Sequence, residues 1–137
     1  MTSTTATPAR PSAPVGRTAR RVGRVVTGLV TLFLLFDSVT KLLRVPAVVT
    51  ATAQMGFPVA AVPVIGATLL ACVVLYLVPR TAVLGAVLLT GYLGGAVFAH
   101  VRVGDPLLTH VLMPIYVAAM LWGGLYLRDA RVRALLR

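Results

Sequence analysis

The stretch VVTGLVTLFLLFDSVTKLL, Val25–Leu43, decides how the rest of the chain is read. It opens with twelve residues free of charge. Asp37 and Lys41 then stand four apart near its end. An apolar segment of about 20 residues is long enough to cross the hydrocarbon core of a bilayer. A charged pair inside such a segment needs a physical reason, because a bare carboxylate at the bilayer centre costs about 2.5–3.5 kcal/mol on insertion scales.

Composition extends the membrane reading to the whole chain. The 137 residues are 58% hydrophobic and 12% charged. Mean hydropathy is +0.94. A single domain of this length has too little interior to hide that much apolar surface, so lipid becomes the solvent for much of it. The net charge of +10 invites a nucleic-acid reading. The distribution argues against it, because nucleic-acid-binding domains spread Lys and Arg over one folded face. Here nine of the 13 basic residues sit in two tails, Arg10, Arg17, Arg20, Arg21 and Arg24 in front and Arg128, Arg131, Arg133 and Arg137 behind. The single cysteine, Cys72, excludes an internal disulfide and a cysteine-cluster metal site. Its place near mid-membrane reads as a buried, inert thiol.

Residues 1–21, rich in Thr, Ser, Ala, Pro and Arg, read as a disordered basic tail. Four apolar segments follow, at about 22–43, 59–78, 82–101 and 107–127, within a membrane domain spanning 22–128; residues 129–137 form a basic tail. A cleaved signal peptide is the competing reading of the first segment. It is disfavoured because the nearest A-x-A, Ala51–Ala53, lies too far downstream. Pro46, Gly56, Phe57 and Pro58 mark a loop. Pro79 and Arg80 make a short turn, and Gly104, Asp105 and Pro106 make another. Pro63 falls in the first turns of the second segment, and Pro114 is placed to kink the fourth. The expected fold is all-α, a four-helix transmembrane bundle running up-down-up-down. With both termini cytoplasmic, ten of the 13 basic residues lie inside and only Lys41, Arg44 and Arg102 outside, as the positive-inside rule favours. Trp122 and Tyr126 then fall at the inner interface as aromatic anchors.

That orientation gathers the remaining polar side chains into one outer layer. Asp37 and Lys41 close the first segment, His100 and Arg102 close the third, and Asp105 and His110 open the fourth. Acid before base at i, i+4 shares a helix face in the favourable order for an ion pair. We expect the pair to face the bundle interior, with His100, Arg102 or His110 extending the network. A purely structural reading is also open: Lys41 snorkels to the interface with Asp37 as its counter-ion, and the histidines are polar tips there. No H-x-x-x-H or H-E-x-x-H spacing supports a metal site. In TGYLGGA, Thr90–Ala96, Gly91 and Gly95 form a G-x-x-x-G step widened by Gly94. It reads first as internal packing against the first or second helix and second as a homodimer face. It lacks the strand and the Lys-Ser/Thr ending of a nucleotide loop.

The segment LYLVPRTAVLGAVLLTGYLGGAVFAHVRVGDPLLTHVLMP, Leu75–Pro114, with WGGLYLRD, Trp122–Asp129, and LFLLFDSVTKL, Leu32–Leu42, resembles the DoxX-like family of small four-helix membrane proteins. The resemblance covers about residues 22–137. It implies a multi-pass protein of a bacterial plasma membrane, associated with quinol oxidase or thiosulfate:quinone oxidoreductase systems. Carried over by position are Asp37, Lys41, His100, Arg102 and Asp105. One departure stands out: relatives often place a glutamate in an I-G-x-x-E-L-A-C-like stretch, and IGATLLAC, Ile65–Cys72, has Leu69 there. Three functional readings follow. The first is a non-enzymatic accessory subunit of a redox-linked membrane complex, holding a protein partner or a lipid-like ligand. The second is a quinone- or thiol-handling component whose polar layer hydrogen-bonds a quinone head group, the one cofactor the resemblance suggests. The third is a small-solute carrier. No catalytic residue is assigned.

Overall fold

The computed structural model describes residues 16–135. The front of the expected disordered tail, residues 1–15, lies outside the described residues, as do residues 136 and 137. Helix α1 runs Arg17–Leu42, starting five residues before the expected Val22. The early start has a local cause. Arginine and alanine are good helix formers, no proline interrupts 17–22, and a helix anchored by its apolar end extends readily through such residues.

The loop expected around Pro46 contains a second helix, α2, Pro46–Gln54. Pro46 sits at its first turn, where the ring presets φ and the missing N–H costs nothing. Arg44, at φ 52°, turns the chain between α1 and α2. A 3-10 turn at Val59–Ala61 leads into α3, Val62–Leu77. Helix α4 is Ala82–Val103. The expected kink in the fourth span takes a definite form. Leu107–Val111 is a π-helical turn, and α5, Met113–Arg128, restarts the ordinary ladder. Pro114 has no N–H to give to a carbonyl one turn earlier, so the hydrogen-bond register changes just before it. Leu112 N–H accordingly bonds the Leu107 carbonyl at 2.9 Å. In the expected C-terminal tail, Asp129 Oδ1 accepts the Arg131 N–H at 2.8 Å and α6 follows, Ala130–Leu135.

Among the described residues, four stretches are long and apolar enough to cross a membrane: Arg17–Leu42, Val59–Leu77, Ala82–Val103 and Leu107–Arg128. Helix α1 packs against α3 and α5, and α4 packs against the same two, so α1 and α4 face each other across the bundle. The core runs through Leu69, Val73, Tyr76, Leu89, Leu121 and Leu125, all 0% exposed. Large apolar side chains also point outward, Phe36 and Phe98 at 70% exposure. Water would penalise that surface, whereas lipid tails solvate it.

Helix contacts form at glycines, but not at the expected ones. A Cβ at Gly66 would meet Lys41 Cβ at 2.8 Å and the Ser38 carbonyl at 3.0 Å, so α1 and α3 meet there backbone to backbone. Gly23 and Gly124 do the same between α1 and α5, and Gly85 sits against the backbone of Tyr76 between α3 and α4. A Cβ at Gly91, Gly94 or Gly95 would meet nothing within 4 Å among the described residues. At the G-x-x-x-G step the described residues therefore leave open space, where Gly66 and Gly85 each meet a neighbouring helix backbone.

Candidate functional site

The rotation of α1 is set at Gly66. Ser38, fully buried, donates its hydroxyl to the Gly66 carbonyl at 3.0 Å, a bond that holds α1 tightly to α3. On the same stretch of α1, Lys41 Nζ donates to Asp37 Oδ1 across one helical turn. Their side chains are 13% and 35% exposed, so the pair is turned substantially inward. In a low-dielectric setting such a bond is stronger than in water, and each partner relieves the desolvation of the other.

The HVRVGDP turn builds the second pair. Gly104 ends α4 in the left-handed conformation, φ 76°, and the Asp105 N–H bonds back to the His100 carbonyl at 3.1 Å. This folds Asp105 onto the ring it caps: its Oδ2 lies 2.6 Å from His100 Nδ1. A carboxylate on one imidazole nitrogen fixes the ring's orientation and leaves the other nitrogen available to a ligand. The π-helical turn brings His110 edge-on to His100, with ring centroids 5.8 Å apart. Thr109 Oγ1 lies 2.8 Å from His110 Nδ1.

Lys41, Asp37, His100, Thr109 and His110 line a cavity of about 490 Å³ in the half of the bundle that holds the end of α1. That is within the ~300–1,000 Å³ of small-molecule sites. Asp37, Lys41, His100 and His110 lie on its wall, as do Gly91 and Gly95. A Cβ at either glycine would meet nothing within 4 Å among the described residues, so α4 leaves space along this wall instead of filling it. The remainder of the wall is largely apolar, with Phe33, Leu34 and Val117 among it. Two residues expected in the cluster lie elsewhere. The Arg102 guanidinium donates to the Met55 carbonyl, tying the end of α4 to the turn after α2. Asp105 touches the site only through His100.

Several cavity residues escaped the sequence reading: Tyr92, Thr109, and Thr52, Met55 and Phe57 from α2 and its exit turn. Tyr92 carried a signal, as the one polar ring within TGYLGGA. The α2 residues carried none, since their segment read as a loop. Leu69, at the position where the resemblance would place an acid, is fully buried in the apolar core. Trp122, expected as an interface anchor, packs partly against the core and donates Nε1–H to Thr90 Oγ1 at 2.9 Å.

Four spans long and apolar enough to cross a bilayer, among the described residues, define a multi-pass membrane protein. Residues 25–124 match the model of the DoxX-like family, and the chain belongs to that family. Comparison with curated proteins and with solved structures gave no match.

Proposed function

We propose that this protein is a non-enzymatic subunit of a redox-linked membrane complex, and that its cavity receives the polar head of a lipophilic ligand of the quinone class. One observation carries the reading: a cavity of about 490 Å³ whose mostly apolar wall is interrupted by Asp37, Lys41, His100 and His110. Lys41 and the two imidazoles supply hydrogen bonds to carbonyl oxygens, while the apolar wall accepts a ring and the start of a tail. The Asp37–Lys41 pair is internally neutralised, which suits a neutral head group better than an ionised one. The orientation that completes this reading has both termini cytoplasmic in a bacterial plasma membrane, so that the cavity opens near the outer leaflet. The arginines of the two ends and Arg80 support it through the positive-inside rule.

A second reading, direct participation in quinone chemistry, is favoured by the Asp105–His100 pair. A carboxylate-oriented imidazole beside a bound carbonyl is suited to moving a proton.

Purified protein in nanodiscs is titrated with a short-tailed quinone. Saturable binding is expected, weakened at least tenfold in Asp37→Asn and Lys41→Met while helicity is unchanged. No saturable binding by the wild type, or equal binding by both variants, refutes the ligand reading. Copurification from native membranes tests the subunit role separately: an oxidoreductase partner supports it, and its loss of activity without this chain distinguishes accessory from passenger. Reporter fusions at each terminus test the orientation.

A further inference from the structure

The opposite end of the bundle holds a second concavity, of about 380 Å³, that the cavity's chemistry does not use. Its wall is Arg20 and Arg24 from α1, Pro79 and Ala82 from the α3–α4 turn, and Arg128 and Asp129 from the end of α5. Arg20 and Arg24 are four apart and share a helix face. Arg128 is held in place by its surroundings. Its guanidinium lies over the Tyr76 ring at 5.0 Å and donates Nη2–H to the Tyr76 carbonyl at 3.2 Å. Its Nε is buried and has no hydrogen-bond partner among the described residues. Asp129 is the one acid in the wall, and its Oδ1 is already engaged by the Arg131 N–H. Three guanidinium groups against one committed carboxylate leave the notch positive.

A third feature adds to the charge. Ala82 opens α4, a helix of 22 residues, and the N-cap Thr81 makes no side-chain cap bond. The Thr81 hydroxyl instead donates to the Leu75 carbonyl at 2.8 Å. Ala82, the first residue of α4, is part of the wall, so the positive end of that helix's dipole lies beside the same notch. Guanidinium forks match phosphoryl oxygens in geometry as well as charge. Val25 on α1, Val78 in the α3–α4 turn and Leu84 in the first turn of α4, exposed at 62%, 42% and 52%, provide apolar surface for acyl chains.

We propose that this notch binds a phosphoryl group, supplied by the head of an anionic phospholipid. The site lies about 20 Å along α1 from Asp37, at 1.5 Å per residue, and is independent of the ligand cavity. A bilayer presents such heads at high local density to basic pockets between helix ends.

The test uses full-length protein in nanodiscs and native mass spectrometry of retained lipid. Phosphatidylglycerol and phosphatidylcholine compete in one arm; inorganic phosphate and glycerol phosphate compete against bound phosphatidylglycerol in another. The wild type is expected to retain phosphatidylglycerol selectively. The double variant Arg20→Gln, Arg24→Gln should lose that selectivity by about 30-fold, two surface arginines at about fivefold each. Arg21→Gln with Arg131→Gln removes equal charge at the same end without touching the notch wall, and should leave retention within about twofold. Displacement by free phosphate at equal strength keeps the phosphoryl site and assigns its source to solution. Equal retention of both lipids, or equal losses in the two double variants, overturns the proposal, since diffuse charge would then account for everything. Arg128→Met is informative only where its helicity matches the wild type; the exposed pair on α1 decides the matter without it.

Discussion

Alanine at Gly85 puts a methyl group onto the backbone of Tyr76, while alanine at Gly91 puts one into open space. At Gly85 the added Cβ would overlap the Tyr76 amide nitrogen and lie 2.7 Å from the Leu75 carbonyl carbon. Those atoms belong to a helix backbone and cannot rotate aside, so α3 and α4 must separate. Overpacking typically costs about 1–3 kcal/mol, and a rigid backbone neighbour places this case at the upper end. The helix gains about 1 kcal/mol from replacing glycine, leaving a net destabilisation of about 2 kcal/mol. A Cβ at Gly91 or Gly95 would meet nothing beyond its own helix backbone within 4 Å among the described residues, so only the gain remains, up to about 1 kcal/mol. Gly85→Ala and Gly91→Ala should therefore differ by about 3 kcal/mol with opposite signs relative to the wild type. Denaturation with SDS in mixed micelles, followed by far-ultraviolet circular dichroism, measures both. Equal stability of the two variants, or Gly85→Ala above the wild type, would refute the assignment of close helix contact to Gly85 and open cavity wall to Gly91.

Three further outcomes follow from named contacts. Ser38→Ala removes the buried bond to the Gly66 carbonyl and should lower stability by about 1 kcal/mol or somewhat more in the same titration; no change would mean that the bond does not hold α1 to α3. Gly95→Leu should leave the fold intact but occupy the cavity, abolishing quinone-analogue binding; undiminished affinity would show that the ligand sits elsewhere. Arg102→Gln releases the Met55 carbonyl, so amide hydrogen exchange should rise selectively over residues 46–57 while α4 stays protected. Protection unchanged over α2 would count against that tie.

Much of the fold was legible because hydrocarbon thickness and backbone hydrogen bonding leave few alternatives to helices of about 20 apolar residues. The four spans could be placed from apolar length and from the Gly104–Asp105–Pro106 and Pro79–Arg80 punctuation. Helix α2 could not, because PAVVTATAQ is short and bounded by turn residues that suit a loop equally well. The π-helical turn was visible only as a warning at Pro114: proline announces a missing N–H, but not how the chain will make up for it. Within the site, the sequence grouped Asp37, Lys41, His100 and His110 at one end of the bundle by helix direction alone, and the structure places all four on one cavity wall. It put Arg102 in the same group, where distance along the chain gave no hint that its guanidinium reaches the Met55 carbonyl.

The sequence by itself determined the solvent, the number of crossings and the membership of the family, since these follow from local apolar length and from motifs read along one strand of residues. Only tertiary structure decided which glycines are contacts and which are empty space. Gly66, Gly85, Gly91 and Gly95 are alike in isolation; what separates them is the helix that stands opposite. The same holds for the arginines. Their charge was evident from the first reading, but the notch formed by Arg20, Arg24 and Arg128 exists because α1 and α5 pack side by side and bring residues more than 100 positions apart to one wall.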